Sequence, residues 1–251
     1  MAERCRWKLT CAYDGTGFSG WERQAQGERT IQGTLEAALG RLTGERIDVI
    51  GASRTDAGVH ALGQVAVIDV APRWGRDELV RAINALVPND LRIVDAVRRP
   101  LDFHPRHIAS RKTYFYQMIE GRFADPFRDR YACRLKALPS RERLAQAAAL
   151  LTGRRDFAAF MAAGSPVQST VRDLSSIRVR GGRDWRRVFF TADGFLYKMI
   201  RNMISFVVAV ASDALCLEEA VEIVAAGDRT MAPPTFPPRG LFLWKIRYEN
   251  D

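Results

Sequence analysis

A chain of 251 residues with 47% hydrophobic and 27% charged content is long enough to bury a sizeable core in one large domain or two modest ones, which excludes a disordered or low-complexity protein. Lys+Arg 38 against Asp+Glu 29 leaves a net charge of +9, and that excess favours a polyanionic partner. Four scattered cysteines, Cys5, Cys11, Cys133 and Cys216, with no Cys-x-x-Cys and no nearby His pair, argue against a disulfide framework and against a zinc site.

The N-terminal stretch Met1–Lys8 is short and polar, with no signal-peptide core. The most apolar run, Phe195–Ala211, is interrupted by Lys198, Arg201, Asn202 and Ser205, so no membrane span is expected and the protein is read as cytoplasmic. Only five of the cations are lysines. Arginine forks match phosphate oxygens and stack on bases, which suits a nucleic acid. A GC-rich genome would also raise Arg over Lys, but it accounts less well for the net charge.

The pattern predicts a first strand over Trp7–Tyr13 and then the glycine-rich stretch Gly15-Thr16-Gly17-Phe18-Ser19-Gly20. That stretch fits Gly-x-Gly-x-x-Gly, but the fingerprint requires a helix starting inside the glycines. Here the polar segment Trp21–Arg29 intervenes before a helix at about 31–43, so no nucleotide cofactor is expected. Strands follow at Ile47–Ala52 and Gln64–Val70, then a helix over Asp77–Leu86 and a strand over Leu91–Val97. Between the two middle strands lies Ser53-Arg54-Thr55-Asp56-Ala57-Gly58-Val59-His60-Ala61. A lone carboxylate on such a turn is poor core material and well placed for reaction.

The second half repeats that order. It has a strand over Lys112–Ile119, a helix over Arg141–Leu151, strands over Val171–Val179 and Trp185–Ala192, and a helix over Phe195–Ser212. A short extra helix over Leu217–Ala226 and a last strand over Leu241–Tyr248 follow. The segments Leu35–Gly44 and Leu144–Gly153 align, each read as a helix closed by its glycine. The expected class is therefore α+β, two pseudo-repeated βαββαβ (ferredoxin-like, RRM-like) halves at 1–105 and 106–251. Their sheets should be mostly antiparallel, with the active-site cleft between the halves and open sheet faces available to RNA.

Two features of the second half suggest chemistry. Lys198, Arg201/Asn202 and Ser205 form one polar stripe on an otherwise apolar helix, and periodicity alone favours a stripe facing solvent. If the stripe is buried, its guanidinium needs an anion, and Asp56 is the candidate partner. Tyr114 and Tyr116 share one strand face, where they would stack on a base or, as isolated tyrosines more often do, pack in the core. His60, His104 and His107 lack metal-ligand spacing, so no metal is expected and a structural hydrogen bond is the better reading of each, although His60 lies close enough to Asp56 to border the same cleft. Arginine pairs at 98–99, 154–155 and 186–187 could meet phosphates or merely solvate a surface.

Taken together, Ala52–Ala61, Tyr13–Trp21, Asn84-Ala85-Leu86, Phe103-His104-Pro105-Arg106 leading to Tyr114-Phe115-Tyr116, Asp156-Phe157, Met199-Ile200-Arg201-Asn202-Met203 and the Pro-rich approach to Gly240-Leu241 resemble the tRNA pseudouridine synthase A family nearly end to end. Ser53 stands where a glycine is frequent in that family. The resemblance implies isomerisation of uridine to pseudouridine in the anticodon stem-loop of tRNA, at positions 38 to 40, with no cofactor and no metal, by a homodimer. It implies Asp56 as the catalytic carboxylate, Arg201 as its ion-pair partner and Tyr114 as the ring that stacks on the flipped uracil. Arg54 is a candidate for holding the extruded nucleotide's backbone, and His60 for contacting RNA. The alternative is a catalytically silent RNA-binding module of duplicated ferredoxin-like units.

Overall fold

The computed structural model describes residues 3–25, 27–164 and 167–249. In chain order the elements are β1 (Cys5–Tyr13), α1 (Ile31–Thr43), β2 (Ile50–Gly51), β3 (His60–Val70), α2 (Arg76–Asn84), β4 (Leu91–Arg99) and β5 (Ala109–Glu120). They continue with β6 (Cys133–Leu135), α3 (Arg141–Ala149), β7 (Gly153–Asp156), β8 (Val171–Gly181), β9 (Trp185–Ala192), α4 (Met199–Ala211), α5 (Leu217–Ala226) and β10 (Leu241–Tyr248). The class is α+β with mostly antiparallel strand pairs. Two compact units result, one formed by the chain up to Ser110 together with Phe242 onward, the other by Arg111–Leu241.

In the first unit β1 lies between β3 and β4, antiparallel to both. Its alternate residues Trp7, Leu9, Cys11 and Tyr13 are all buried, as period-2 patterning requires of a strand with one covered face. Leu35 and Leu39 of α1 and Leu79 and Ile83 of α2 are fully buried. Thr30 caps α1 by accepting from Gly33 N–H at 3.2 Å, and Gly44, at φ +77°, ends it. The other edge of β3 is shared. β2 pairs with it antiparallel at Val67 and Ala66, and β10 runs parallel to its start at His60 and Ala61.

The strand expected over Ile47–Ala52 is only two residues long. Side chains of α1 explain the loss: Gln32 donates to Val49 O at 3.1 Å, and Glu36 accepts from Val49 N at 3.3 Å. Those backbone groups are satisfied by a helix rather than by a ladder.

In the second unit the strand order is β5-β9-β8-β7, all antiparallel, with β6 parallel to β5. Tyr116, Met118, Leu174, Val188, Phe190 and Ala192 are fully buried, as are Leu144 of α3 and Met203, Ile204, Phe206 and Val207 of α4. Three expectations are corrected here. The helix expected from Phe195 starts at Met199, because Lys198 takes a left-handed conformation at φ 56° and Met199 N–H closes a turn on Leu196 O at 3.1 Å. The polar stripe does not face solvent, since Asn202 is 0% and Ser205 4% exposed. Gly153 does not cap α3, which ends four residues earlier; at φ +107° it opens β7, a short charged edge strand that periodicity missed.

Candidate active site

Asp56 sits on the loop entering β3, half-buried, and its backbone is held from two directions. Beneath it, fully buried Gln64 donates to Ser53 O at 2.6 Å, Tyr13 Oη lies 2.9 Å from Thr55 Oγ1, and Val59 N–H closes a turn on Asp56 O at 3.1 Å. Alongside it runs the glycine-rich segment. Trp21 N–H donates to Thr55 O at 3.0 Å and Gly58 N–H to Phe18 O at 3.4 Å.

Two glycines make that approach achievable. A Cβ on Gly15 would lie 2.0 Å from Val59 O, and one on Gly20, at φ +95°, would lie 2.8 Å from Thr55 O and 3.3 Å from Asp56 C. The segment is a wall for the Asp loop. Its only helical turn, Gly15–Gly17, is a single 3-10 turn capped by Asp14, and α1 begins at Ile31. Ile31 N–H and Gln32 N–H donate to Gly20 O and Trp21 O, so the first turn of α1 anchors the wall.

Arg54 is exposed and paired with Glu22 at 2.5 Å. His60 is 1% exposed, its Nδ1 lying 3.1 Å from both Gly15 N and Asp14 Oδ1, with its ring stacked on Phe242 at 4.6 Å. An imidazole in that position ties the glycine turn to the start of β3. Arg54, Asp56 and His60 thus share one segment but differ sharply in exposure. The His104 and His107 rings meet at 4.0 Å, tilted by 35°, and His104 is held below the usual imidazole range by burial, with His107, Arg106 and Arg6 adding to it. Among the described residues no group of three or more His, Cys, Asp or Glu stands close enough to hold a metal ion, and no helix is long and apolar enough to cross a membrane.

In the second unit Tyr114 is 5% exposed and meets Phe195 edge-on at 5.2 Å. Tyr116 is wholly buried and donates to Pro237 O at 2.7 Å; burial drives its phenol far above the ordinary range, which makes it a core residue. Arg201, in the first turn of α4, is half-buried. Its Nε donates to Phe236 O at 2.7 Å, and Phe236 N–H donates back to Arg201 O at 3.2 Å.

Next to it, Asn202 is a hub that sequence reading left inside the stripe. Its Nδ2 donates to Phe160 O at 2.8 Å, while its Oδ1 accepts from Thr235 Oγ1 at 2.6 Å and Arg229 at 3.2 Å. Tyr13 and Gln64 were likewise missed as supports of the Asp loop. A glutamine directly ahead of the apolar run Val65–Ile68 was the one available signal for either.

The pattern of the tRNA pseudouridine synthase family matches residues 10–107 and 147–249, which takes in Asp56 and Arg201 but leaves Tyr114 in the interval between. The chain is 38% identical over 251 residues to tRNA pseudouridine synthase A of Limosilactobacillus reuteri, covering 98% of each protein. With tRNA pseudouridine synthase A of Moorella thermoacetica it shares 40% identity over 242 residues, 96% of this chain and 98% of the other. Among solved structures, one of an unknown protein from Galdieria sulphuraria aligns at 12% identity over 84% of this chain and 94% of that one, with a TM-score of 0.26, too weak to carry an argument. With relatives matched along nearly its whole length, the chain belongs to the tRNA pseudouridine synthase A family.

Proposed function

We propose that this protein isomerises uridine to pseudouridine in the anticodon stem-loop of tRNA, with Asp56 as the catalytic carboxylate. The observation that carries the reading is the double support of Asp56. Its loop is fixed by Gln64 and Tyr13 below and by the Gly15–Trp21 wall beside it, while its side chain stays half-buried. Rigid support of that kind is what a reacting group needs and what a surface loop ordinarily lacks.

The reaction breaks the C1′–N1 bond, turns the uracil, and joins C1′ to C5. The C5 proton leaves and N1 gains one, so the exchange needs no oxidant or reductant. An ionised carboxylate attacks or assists at the ribose or base. Tyr114 is proposed to stack on the uracil; the edge-on contact with Phe195 supports a preset ring orientation. Arg201 is proposed to supply the counter-charge that keeps the carboxylate ionised when water is excluded. Its reciprocal bonds to Phe236 support a fixed guanidinium. Flipping the base costs a few kcal/mol, which phosphate contacts must offset. Arg54 is the proposed contact to the extruded nucleotide's backbone; His60 is proposed to act on RNA through the glycine turn that its imidazole ties down.

The duplication of two βαββαβ halves, 1–105 and 106–251, is part of the same proposal. The order β4-β1-β3-β2 in the first unit and β5-β9-β8 in the second supports it. So is a cytoplasmic homodimer, which sedimentation in the presence and absence of tRNA checks.

The test uses purified protein and tRNA carrying tritium at uridine C5, without added cofactor. Tritium release by the wild type and none by Asp56→Ala is the expected result. Equal release by both proteins removes Asp56 from the chemistry. No release by either, with tRNA still bound, favours the silent RNA-binding module.

A further inference from the structure

Strand alternation gives the second unit's sheet two faces of different character. Tyr114, Tyr116, Val188 and Phe190 lie on one and are buried. The residues between them lie on the other, where Phe115 and Ile119 of β5 are buried as well, and it is the arginines of β8 and β9 that are exposed. There Phe115 pairs with Phe189 and Phe189 with Arg178; Gln117 pairs with Arg187 and Arg187 with Arg180; Ile119 pairs with Trp185.

On this second face arginines and aromatics interleave. Arg187 lies over Phe115 at 5.0 Å and over Trp185 at 5.6 Å, with its Nε fixed by Gln117 Oε1 at 2.6 Å. Arg180 lies over Phe189 at 5.8 Å, and Phe115 and Phe189 pack at 5.4 Å. Arg178, Arg180 and Arg187 are exposed, and among the described residues none has a carboxylate within ion-pair distance. Asp173, at the end of the face, is held by Arg111 at 2.9 Å, and Asp184, in the adjoining turn, by Arg128 at 2.6 Å.

We propose that this arginine–aromatic sheet face, centred on Arg178, Arg180, Arg187 and Trp185, is a second RNA-binding surface that grips the tRNA away from the reacting uridine. Exposed guanidiniums without a carboxylate partner, set beside aromatic rings, offer both what a polyanion requires and planar groups for unpaired bases to stack on. A second copy of this chain fits the face less well. A two-fold interface sets a patch against itself, and here that would bring arginines against arginines with no carboxylate between them. The surface is on the opposite side of β5 from Tyr114, so it contributes to holding the tRNA rather than to the chemistry.

The experiment measures tRNA binding by the full chain across a salt series, which is independent of whether the protein isomerises uridine. Arg178→Gln/Arg180→Gln/Arg187→Gln should weaken binding roughly tenfold or more and lower the slope of log affinity against log salt by about 2 to 3. The matched triple Lys variant should keep that slope, because charge is retained. Trp185→Ala should weaken binding and leave the slope unchanged. The single-turnover rate at saturating tRNA should stay at the wild-type value for all variants. Wild-type affinity and slope in the triple Gln variant would overturn the proposal. So would a change of oligomeric state with affinity preserved, which would assign the face to a second copy.

Discussion

At the residue scale, the site depends on side chains that are missing as much as on those present. Gly15 and Gly20 let two backbone segments close to a distance at which any Cβ would collide with Val59 O or Thr55 O. Gly15→Ala is therefore expected to cost about 1–3 kcal/mol, as overpacking does, and to lower the turnover of bound tRNA. Chemical denaturation and single-turnover tritium release read the two effects separately. Lys8 gives a second prediction. It is 8% exposed, and burial, with Arg99 nearby, pushes its amine down to about 8 from 10.5. The folded state therefore loses this proton first as pH rises. The penalty for holding the charge is full below about pH 8 and fades towards 10.5. Thermal midpoints should climb relative to Lys8→Met across that window, so that the variant's advantage is greatest at neutral pH. Cys11, fully buried with its thiol pushed up to about 12, should resist alkylation until the chain unfolds, while exposed Cys216 reacts in the native state; mass spectrometry of timed samples decides it.

At the element scale, α4 shows why periodicity read the right segment and the wrong environment. Its pattern identified an apolar helix carrying a polar stripe, and a stripe on one face ordinarily meets water. The covering segment comes from 30 or so residues further along the chain, where Arg229, Thr235 and Phe236 present polar groups that match Asn202 and Arg201. Asn202→Leu would strand Phe160 N-terminal to that helix with an unmet carbonyl and leave Thr235 without its acceptor. A loss of about 2–3 kcal/mol is expected, larger than for Thr235→Val, and urea titration of both variants tests the order. The same lesson covers β2, whose predicted residues are satisfied by Gln32 and Glu36, and β7, whose charged sequence carries no alternation to detect. Helix α1 was legible because its cap, apolar face and terminal glycine all lie within its own sequence.

At the scale of the whole molecule, the +9 net charge is a statement about affinity, not about fold. Binding of tRNA should weaken steeply with salt, and a nearly flat dependence would mean that phosphate neutralisation is not the main source of affinity. The order of the helices and of the longer strands, the Asp-bearing loop and the family were readable from the sequence, because each depends on residues near one another in the chain, whereas the short β6 and β7 were not. The tertiary structure alone decided what faces what. It buried Asn202, Ser205, Tyr116 and His60, made the glycine-rich segment the wall of the Asp56 loop, and grouped residues from Phe242 onward with the first unit. Those outcomes depend on contacts between residues far apart in sequence, and a polar side chain reads the same in a string whether its partner is water or a buried carbonyl.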